Sequence, residues 1–358
     1  MLNHVLLLLC FLGFTAVSRP AVSAQTYFRP TNPYIRYTGR VDTRNALCTR
    51  FDWSYITIET VFEGTSCAVG LNAKHDIYNV FIDGEFSHRF ATDSLNRRYT
   101  LASGLPDTLH HLLLTKRYET DRYITECTGI YLDSGRTLHP PPPRPKYRIE
   151  FIGASTLLGY GNESSKPKCD SVHNHSNTYY SYGPVAARLV GAECSILAIT
   201  RRGLVRNYHS PFITSFRPFQ YYYHTTLWND TTGPKWNYRS WVPDVVVITL
   251  GTNDFSTRPY PPEALFANRL FAFTRELYRL YPGVHIVLLS PPVDPLCSRM
   301  SDFAEREQRE GNRKISFLAY DRFPDWYRGC DWHPNVKAHR KIAEELAAHI
   351  RPQLKHGP

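Results

Sequence analysis

The chain has 358 residues, of which 42% are hydrophobic and 21% are charged, and it carries a net charge of +10. This composition excludes intrinsic disorder, which goes with low hydrophobicity and high charge. The basic residues are scattered and form no nucleic-acid-binding signature, so we expect a basic surface and no nucleic-acid partner.

Residues 1–24 are predicted to be a secretory signal peptide. A largely apolar stretch extends from Val5 to Val17, which is shorter than the roughly 20 residues that span a bilayer. Small residues at positions 22–24 then offer a cleavage site. We therefore expect a secreted protein that begins at Gln25 and does not insert into a membrane.

The cysteines and histidines give little support for a metal site. None of the cysteines after residue 24 lies in a CxxC motif, and the histidines at 110–111 and at 173 and 175 lack a third ligand. Secretion favours disulfides among these cysteines. They are Cys48, Cys67, Cys127, Cys169, Cys194, Cys297 and Cys330. Three sequons, which accept N-glycans in a eukaryotic host, begin at Asn162, Asn174 and Asn229.

A proline-rich run divides the chain at His139–Pro145. Such a run cannot continue a helix or a central strand, and it favours a stiff polyproline spacer. We predict a linker at residues 140–145, between one domain of residues 25–139 and a second of residues 146–358.

The first of these domains is predicted to be all-β. Its apolar runs are rich in β-branched and aromatic residues, and Asp83-Gly84 between two of them is typical of a hairpin. The strand candidates are Tyr55–Phe62, Cys67–Leu71, Tyr78–Ile82 and His110–Thr115. Several short strands with such turns predict a β-sandwich or a jelly roll.

The second domain alternates strands and helices. The strand candidates are Arg148–Ile152, Ser195–Ile199, Asp244–Leu250 and His285–Leu289. The helix candidates are Tyr179–Val190, Glu263–Tyr281 and Val336–Ile350. Such alternation predicts an α/β fold with a parallel sheet flanked by helices. Since ligands of these folds lie at the carboxyl ends of the strands, the residues after each strand are the first candidates for a site.

Ser155 follows the first strand of this domain, after Gly153-Ala154. A serine in a tight turn at a helix start is well placed as a nucleophile, because backbone N–H groups there stabilise an oxyanion. Taken alone, the serine is better explained as an ordinary helix N-cap. The G-x-S-x-G elbow of α/β-hydrolases occurs nowhere in the chain.

Two further groups complete a pattern. Asn253, in the segment Gly251–Asp254 after the third strand, is a candidate oxyanion donor, although this composition also suits a plain turn. His333, in Asp331-Trp332-His333-Pro334 before the last helix, lies beside a carboxylate, as the general base of a serine nucleophile does. By itself it is also consistent with a surface histidine.

Together these blocks resemble the SGNH/GDSL hydrolase superfamily. Gly153–Ser155 looks like its nucleophile block, Gly251–Asp254 like the block of its oxyanion Asn, and Asp331–Pro334 like the block of its base. A β-sandwich followed by this domain, with Gly159-Tyr160-Gly161, is similar to carbohydrate esterase family 2. The resemblance covers nearly all of residues 25–358. It implies a three-layer SGNH-type parallel sheet flanked by helices, preceded by an all-β jelly-roll or sandwich domain.

The chain departs from the family pattern in three places. Ala154 replaces the Asp of Gly-Asp-Ser, which is not the nucleophile. The second block, usually Ser-Gly-x-Gly, reads Thr200–Gly203, so the backbone oxyanion donor is either Arg201 or Gly203. The position three residues before the base is not Asp but Cys330, which leaves either Asp331 or a backbone carbonyl to orient the histidine.

The resemblance implies a secreted carbohydrate O-acetyl esterase that acts on acetylated polysaccharide or oligosaccharide and needs no cofactor. The implied catalytic residues are Ser155, His333 and Asp331, and the implied oxyanion donors are Ser155, Gly203 or Arg201, and Asn253. Tyr160 and Trp332 adjoin the catalytic residues, where they stack on a sugar or pack the loops.

Two other functions stay open, and the sequence does not indicate an oligomeric state. Ala154 and Arg201 would suit a carbohydrate-binding protein built on an inactive hydrolase, and an esterase for lipid or other acyl esters is the second alternative.

We also expect a Cys297–Cys330 disulfide that fixes the loop of the base, and a β domain packed against the second domain.

Overall fold

The computed structural model describes residues 25–120 and 122–354. The predicted signal peptide lies outside the described residues. In the part of the chain that is described, no helix combines the length and the hydropathy needed to cross a bilayer.

Residues 25–139, here called the β domain, form two antiparallel sheets. The strands are β1 (Gln25–Phe28), β2 (Arg36–Thr38), β3 (Asp42–Asn45), β4 (Cys48–Phe51), β5 (Thr57–Gly64), β6 (Cys67–Asn72), β7 (Ile77–Ile82), β8 (Glu85–Ala91), β9 (Arg98–Ala102), β10 (Thr108–Lys116), β11 (Thr125–Asp133) and β12 (Leu138–His139). One sheet has the order β3-β4-β11-β6-β9, with β1 also on β11, and the other has the order β12-β5-β10-β7-β8, with β2 also on β5. Buried residues of both sheets meet in one core, as in a sandwich.

The hairpin at Asp83-Gly84 joins β7 to β8, as predicted. Both residues have positive φ angles, 54° and 87°, which is the backbone of a type I′ turn and matches the twist of the flanking strands.

Residues 147–354, here called the α/β domain, form a parallel sheet of the order β14-β13-β15-β16-β17. Its strands are β13 (Tyr147–Gly153), β14 (Ala192–Ala198), β15 (Val245–Ile248), β16 (His285–Ser290) and β17 (Ile315–Ala319). The helices are α1 (Val172–His175), α2 (Tyr182–Leu189), α3 (Gln220–Tyr223), α4 (Glu263–Leu280), α5 (Leu296–Arg309) and α6 (Val336–Leu354). The buried residues of α2 and α6 cover one face of the sheet, and those of α4 and α5 cover the other. The predicted fold class is therefore confirmed.

Several local features differ from the sequence-based predictions. Strand β17 and helix α5 were not predicted, because β17 is a half-buried edge strand and α5 is mostly polar with few buried positions. Turns rather than a helix follow Ser155, and the predicted helix at Tyr179–Val190 begins as a helix only at Tyr182.

One of the three sequons is incompatible with a glycan in the folded chain. Asn162 is 1% exposed, and its amide donates to the carbonyl of Asn177 at 2.9 Å. Of the other two acceptors, Asn174 is exposed and Asn229 is half-buried, so Asn174 is the more accessible.

The β domain and the α/β domain share a buried interface. Arg40 and Glu150, each with a side chain 1% exposed, form an ion pair across it. Trp53 donates its indole N–H to the carbonyl of Thr226 at 3.0 Å. Cores of both domains join in one hydrophobic cluster. The interface therefore resembles a protein interior rather than a tethered contact.

We expect the fragment 146–358 to be much less stable than the whole chain. It would leave Glu150 buried without Arg40, and an unpaired buried charge costs about 3–5 kcal/mol. Thermal unfolding of the fragment should be compared with that of a chain nicked within 140–145, in which both pieces remain present. Equal melting temperatures for the fragment and the nicked protein would contradict the expectation.

Candidate active site

The carboxyl edge of the parallel sheet carries a cavity of about 800 Å³. The carboxyl ends of three neighbouring strands lie side by side here, since Gly153 of β13 is in register with Ala198 of β14, and Ile152 of β13 with Ile248 of β15. Residues just after each of these strands line the cavity, as the rule for open α/β sheets predicts. They include Ser155, Thr200, Arg201, Thr252 and Asn253, and the loop before α6 adds Asp331, Trp332 and His333.

Ser155 and His333 form a hydrogen-bonded pair across 178 residues of sequence. The distance from Ser155 Oγ to His333 Nε2 is 2.9 Å, and His333 Nδ1 lies 3.2 Å from the backbone carbonyl oxygen of Asp331. A carbonyl oxygen only accepts, so the proton of a neutral imidazole is on Nδ1. Nε2 is then free to accept the proton of Ser155, which is the geometry of a general base.

The carboxylate of Asp331 is hydrogen-bonded to Tyr160 rather than to the histidine. Its Oδ2 accepts a hydrogen bond of 2.7 Å from the hydroxyl of Tyr160. The Tyr160 ring stacks on the imidazole of His333, with ring centroids 4.3 Å apart. Of the two orienting groups left open by the sequence, the geometry therefore favours the backbone carbonyl.

Burial shifts the pKa values of the two stacked rings in opposite directions. Desolvation lowers the pKa of His333 below its ordinary value, although the Asp331 carbonyl and carboxylate oppose the effect. Desolvation, with the neighbouring Asp331 carboxylate, raises the pKa of Tyr160 to about 12. Near neutral pH the histidine is thus an unprotonated base beside a phenol that keeps its proton.

The loop of the base has an unusual backbone. Asp331 and Trp332 have φ angles of 48° and 64°, a region that side chains other than Gly rarely adopt. Its neighbours hold it there: Asp331 N donates to the carbonyl of Pro167 at 2.8 Å, and Cys330 is disulfide-bonded to Cys169. Strained backbone of this kind persists where the surroundings over-determine it.

The predicted Cys297–Cys330 disulfide is wrong, because Cys330 pairs with Cys169. Cys297 lies in the first turn of α5 and is a free thiol. The loop that carries His333 also packs closely against Gly161, since a Cβ built on Gly161 would lie 2.2 Å from the Cβ of Cys330. The bridge still anchors the loop of His333, but to the segment after Ser155 rather than to α5.

Three groups of the cavity are candidates for an oxyanion hole. The backbone N–H groups of Ser155 and Arg201 have no hydrogen-bond acceptor among the residues that the structure describes. The side-chain nitrogen of Asn253 donates to the carbonyl of Arg202 at 2.8 Å, which leaves its second N–H for a ligand.

Gly203 is a poorer candidate than Arg201. Its N–H donates to Asn207 Oδ1 at 3.2 Å, and the residue is buried outside the cavity lining. A Cβ on Gly203 would lie 2.0 Å from the carbonyl oxygen of Arg206, so glycine is needed here for space. Of these two residues, it is Arg201 that lines the cavity, and its φ angle is 65°.

Asp254 holds the loop of residues 200–206, which carries the Arg201 N–H and is here called the oxyanion loop. This role was not predicted from the sequence. Asp254 is 0% exposed, and its carboxylate accepts backbone N–H bonds of 2.6–2.9 Å from residues 204–206. Burial raises its pKa to about 6, although these N–H groups oppose the shift. The contact links the loop after β15 to the oxyanion loop after β14. Its signal in the sequence was the Asp directly after the candidate Asn253.

The rim of the cavity is aromatic. Trp332 is 62% exposed and lines the cavity with Tyr160, and Tyr208, which was not predicted, joins them. Exposed rings beside a polar cleft are suited to stacking on sugar faces. No group of three or more His, Cys, Asp or Glu side chains that would suit a metal ion occurs within residues 25–120 and 122–354.

Comparison with known proteins relates this site to a family. Residues 37–142 match the family model of the carbohydrate esterase 2 N-terminal domain. Cellulase/esterase CelE of Acetivibrio thermocellus is 31% identical over 335 residues, which are 90% of this chain but only 40% of that longer protein. An acetylxylan esterase / glucomannan deacetylase of Cellvibrio japonicus is 27% identical over 84% of this chain and 85% of its own length.

The fold comparison agrees with these relatives. A family two carbohydrate esterase from Clostridium thermocellum, solved in complex with cellohexaose, superposes with a TM-score of 0.84 at 29% identity. The match covers 90% of this chain and 99% of that one, so both domains are included. The chain therefore has the SGNH hydrolase architecture and resembles carbohydrate esterase family 2, and its relatives support an esterase of the carbohydrate-active class.

Proposed function

We propose that this protein is a secreted, serine-dependent O-acetyl esterase that acts on acetylated polysaccharide or oligosaccharide. The observation that carries the proposal is the Ser155 Oγ–His333 Nε2 hydrogen bond of 2.9 Å, directed into a cavity with unused N–H donors. Its relatives include an acetylxylan esterase / glucomannan deacetylase and an esterase solved with cellohexaose, which supports a glycan substrate.

The proposed reaction has two steps. Ser155 Oγ attacks the acetyl carbonyl while His333 Nε2 takes the hydroxyl proton, and the histidine then returns that proton to the departing sugar oxygen. Water, deprotonated by the same nitrogen, attacks the acetyl-enzyme, and the histidine then returns that proton to Ser155 Oγ as the acyl–oxygen bond breaks and acetate leaves. During both steps the negative oxygen is stabilised by the N–H groups of Ser155 and Arg201 and by the amide of Asn253.

Two features bear on the alternative functions. The replacement of the family Asp by Ala154 leaves the Ser155–His333 pair intact, which speaks against an inactive binding protein. Charged side chains such as Arg201 and Asp331 line the cavity beside aromatic rings, a combination that suits a sugar better than a long acyl chain.

Acetate release from a panel of acetylated glycans tests the proposal. We expect turnover of acetylated xylan, mannan or their oligosaccharides, and little turnover of the same leaving group esterified with a long acyl chain. The matched control is an acetyl ester of a plain alcohol, which measures the contribution of sugar binding. Preference for the long acyl ester would favour the lipid alternative, and binding of glycans without any turnover would favour the inactive one.

Replacement of Asp331 by Asn should cause only a mild loss of activity. The backbone carbonyl that accepts from His333 Nδ1 remains, and the Asn oxygen still accepts from Tyr160. We expect a loss of kcat far below the ~10⁴-fold loss seen when a triad aspartate is replaced. The measurement is kcat on an acetyl ester, and a loss of the triad size would show that the carboxylate orients the base.

A further inference from the structure

A segment of the β domain reaches the oxyanion loop. After β10 the chain projects towards the carboxyl edge of the parallel sheet, where Tyr118 and Glu119 contact Thr200. The hydroxyl of Tyr118 lies 2.8 Å from Thr200 Oγ1, and both oxygens of the Glu119 carboxylate accept the Thr200 N–H, at 3.2 and 3.1 Å. Thr200 is thus held at its side chain and at its backbone by the other domain.

Thr200 is the residue whose position directs the oxyanion donor. The peptide plane between Thr200 and Arg201 carries the Arg201 N–H, and Arg201 has the positive φ of 65°. This conformation is unfavourable for a side chain other than glycine, so it needs external restraint. Contacts on Thr200 supply such restraint one residue before the donor.

The projecting segment is itself rigidly held. Lys116 and Asp76, each with a side chain 1% exposed, form a buried ion pair beneath it, and Thr120 donates to the same carboxylate. The carbonyl of Arg117 accepts the N–H of Thr178 in the α/β domain at 2.7 Å. The segment that contacts Thr200 is therefore anchored to both domains.

The same segment also packs towards the base. The ring of Tyr118 lies edge-on to Tyr160, with centroids 6.4 Å apart, and Tyr160 stacks on His333. Tyr118 is 8% exposed, and desolvation by burial raises its pKa well above the ordinary value, so its hydroxyl keeps its proton.

We propose that Tyr118 and Glu119 are positioning residues, through which the β domain fixes the Thr200–Arg201 peptide and thereby the oxyanion hole. They touch no reacting atom and act through Thr200. The inference rests on the serine mechanism proposed above. It gives the β domain a part in the rate of acyl transfer, beyond any contact with the glycan.

The test compares Tyr118→Phe and Glu119→Ala with the conservative variant Glu119→Gln in the full chain. We expect kcat to fall about 10- to 100-fold in the first two variants, the size of effect that a small misplacement of a catalytic group produces, with KM little changed. Glu119→Gln, which keeps an acceptor for the Thr200 N–H, should recover most of the loss. Tyr118→Phe keeps the buried ring and decides the test by itself if Glu119→Ala fails to fold.

A second readout separates positioning from general stability. Methylboronic acid adds to a nucleophilic serine as a tetrahedral adduct, so its affinity should fall by the same factor as kcat. The matched control is Asp52→Asn, because Asp52 is also a β-domain carboxylate that accepts backbone N–H groups of the α/β domain, from Trp228 and Asn229, away from the cavity. It should lower the melting temperature without lowering kcat or boronate affinity.

Three outcomes would overturn the inference: unchanged kcat and boronate affinity in both variants, a rise of KM alone, or the same kcat loss in Asp52→Asn. Each is distinguishable from a failure of the proposed function. If Ser155→Ala is inactive while Tyr118→Phe and Glu119→Ala remain fully active, the serine mechanism stands and the positioning role does not. If Ser155→Ala remains active, the mechanism itself is wrong.

Discussion

Replacement of Ser155 by Ala is expected to abolish deacetylation, with a loss of kcat on the order of 10⁶-fold, as for the nucleophile of a serine protease. The hydroxyl is the only group bonded to His333 Nε2 in the structure as described, so no neighbouring oxygen replaces it. Because the nucleophile and base act as one unit, His333→Ala should lose about as much, and the double variant little more.

The measurement is acetate release by protein that is free of contaminating esterase. Ser256→Ala is the matched control, since Ser256 also lines the cavity but donates to the carbonyl of Asn253 rather than to the histidine. It should retain most of the activity and the thermal stability of the parent. Activity retained in Ser155→Ala at this level of purity would refute the serine assignment.

The protonation state of His333 determines how the activity falls at low pH. Desolvation lowers its pKa below the ordinary value, so the imidazole stays neutral, and able to accept a proton, to lower pH than an exposed histidine. Activity should therefore fall only as the pH drops below about 6.5, the ordinary pKa of histidine.

The sequence predicted those parts of the site that depend on residue type and position relative to the strands. Ser155 and Asn253 follow strands β13 and β15, and the edge rule for parallel sheets places them in one cavity. His333 precedes the last helix, and the superfamily resemblance identified its role. All three residues lie next to the end or the start of a predicted element, where the sequence pattern is informative.

Other parts of the site depend on backbone geometry and long-range packing, which a single sequence does not specify. Asp331 looks like a triad carboxylate, but its left-handed backbone points the carbonyl at His333 and the carboxylate at Tyr160. The sequence left the backbone oxyanion donor open between Arg201 and Gly203, and the Gly203 N–H donates to Asn207 Oδ1. The partner of Cys330 depended on the path of the loop before α1, where no periodic pattern guides a prediction.

Replacement of Asn253 by Ala should lower kcat by about 10²- to 10³-fold, the usual effect of losing one oxyanion donor. KM should change little, because the amide is expected to bind the negative oxygen of the transition state more strongly than the neutral carbonyl of the substrate.

Part of the effect of Asn253→Ala will be indirect, since the same nitrogen holds the carbonyl of Arg202. Asn253→Asp separates the two contributions: it keeps the size of the side chain but replaces the donor by a negative charge, so its kcat should fall further than that of the Ala variant. Asn312→Ala, which removes an amide bonded to Glu307 near the C-terminal end of α5 and outside the cavity lining, controls for general destabilisation and should leave kcat unchanged. If Asn253→Ala raised KM and left kcat intact, Asn253 would be a substrate-binding group, and the oxyanion would be stabilised by the N–H groups of Ser155 and Arg201 alone.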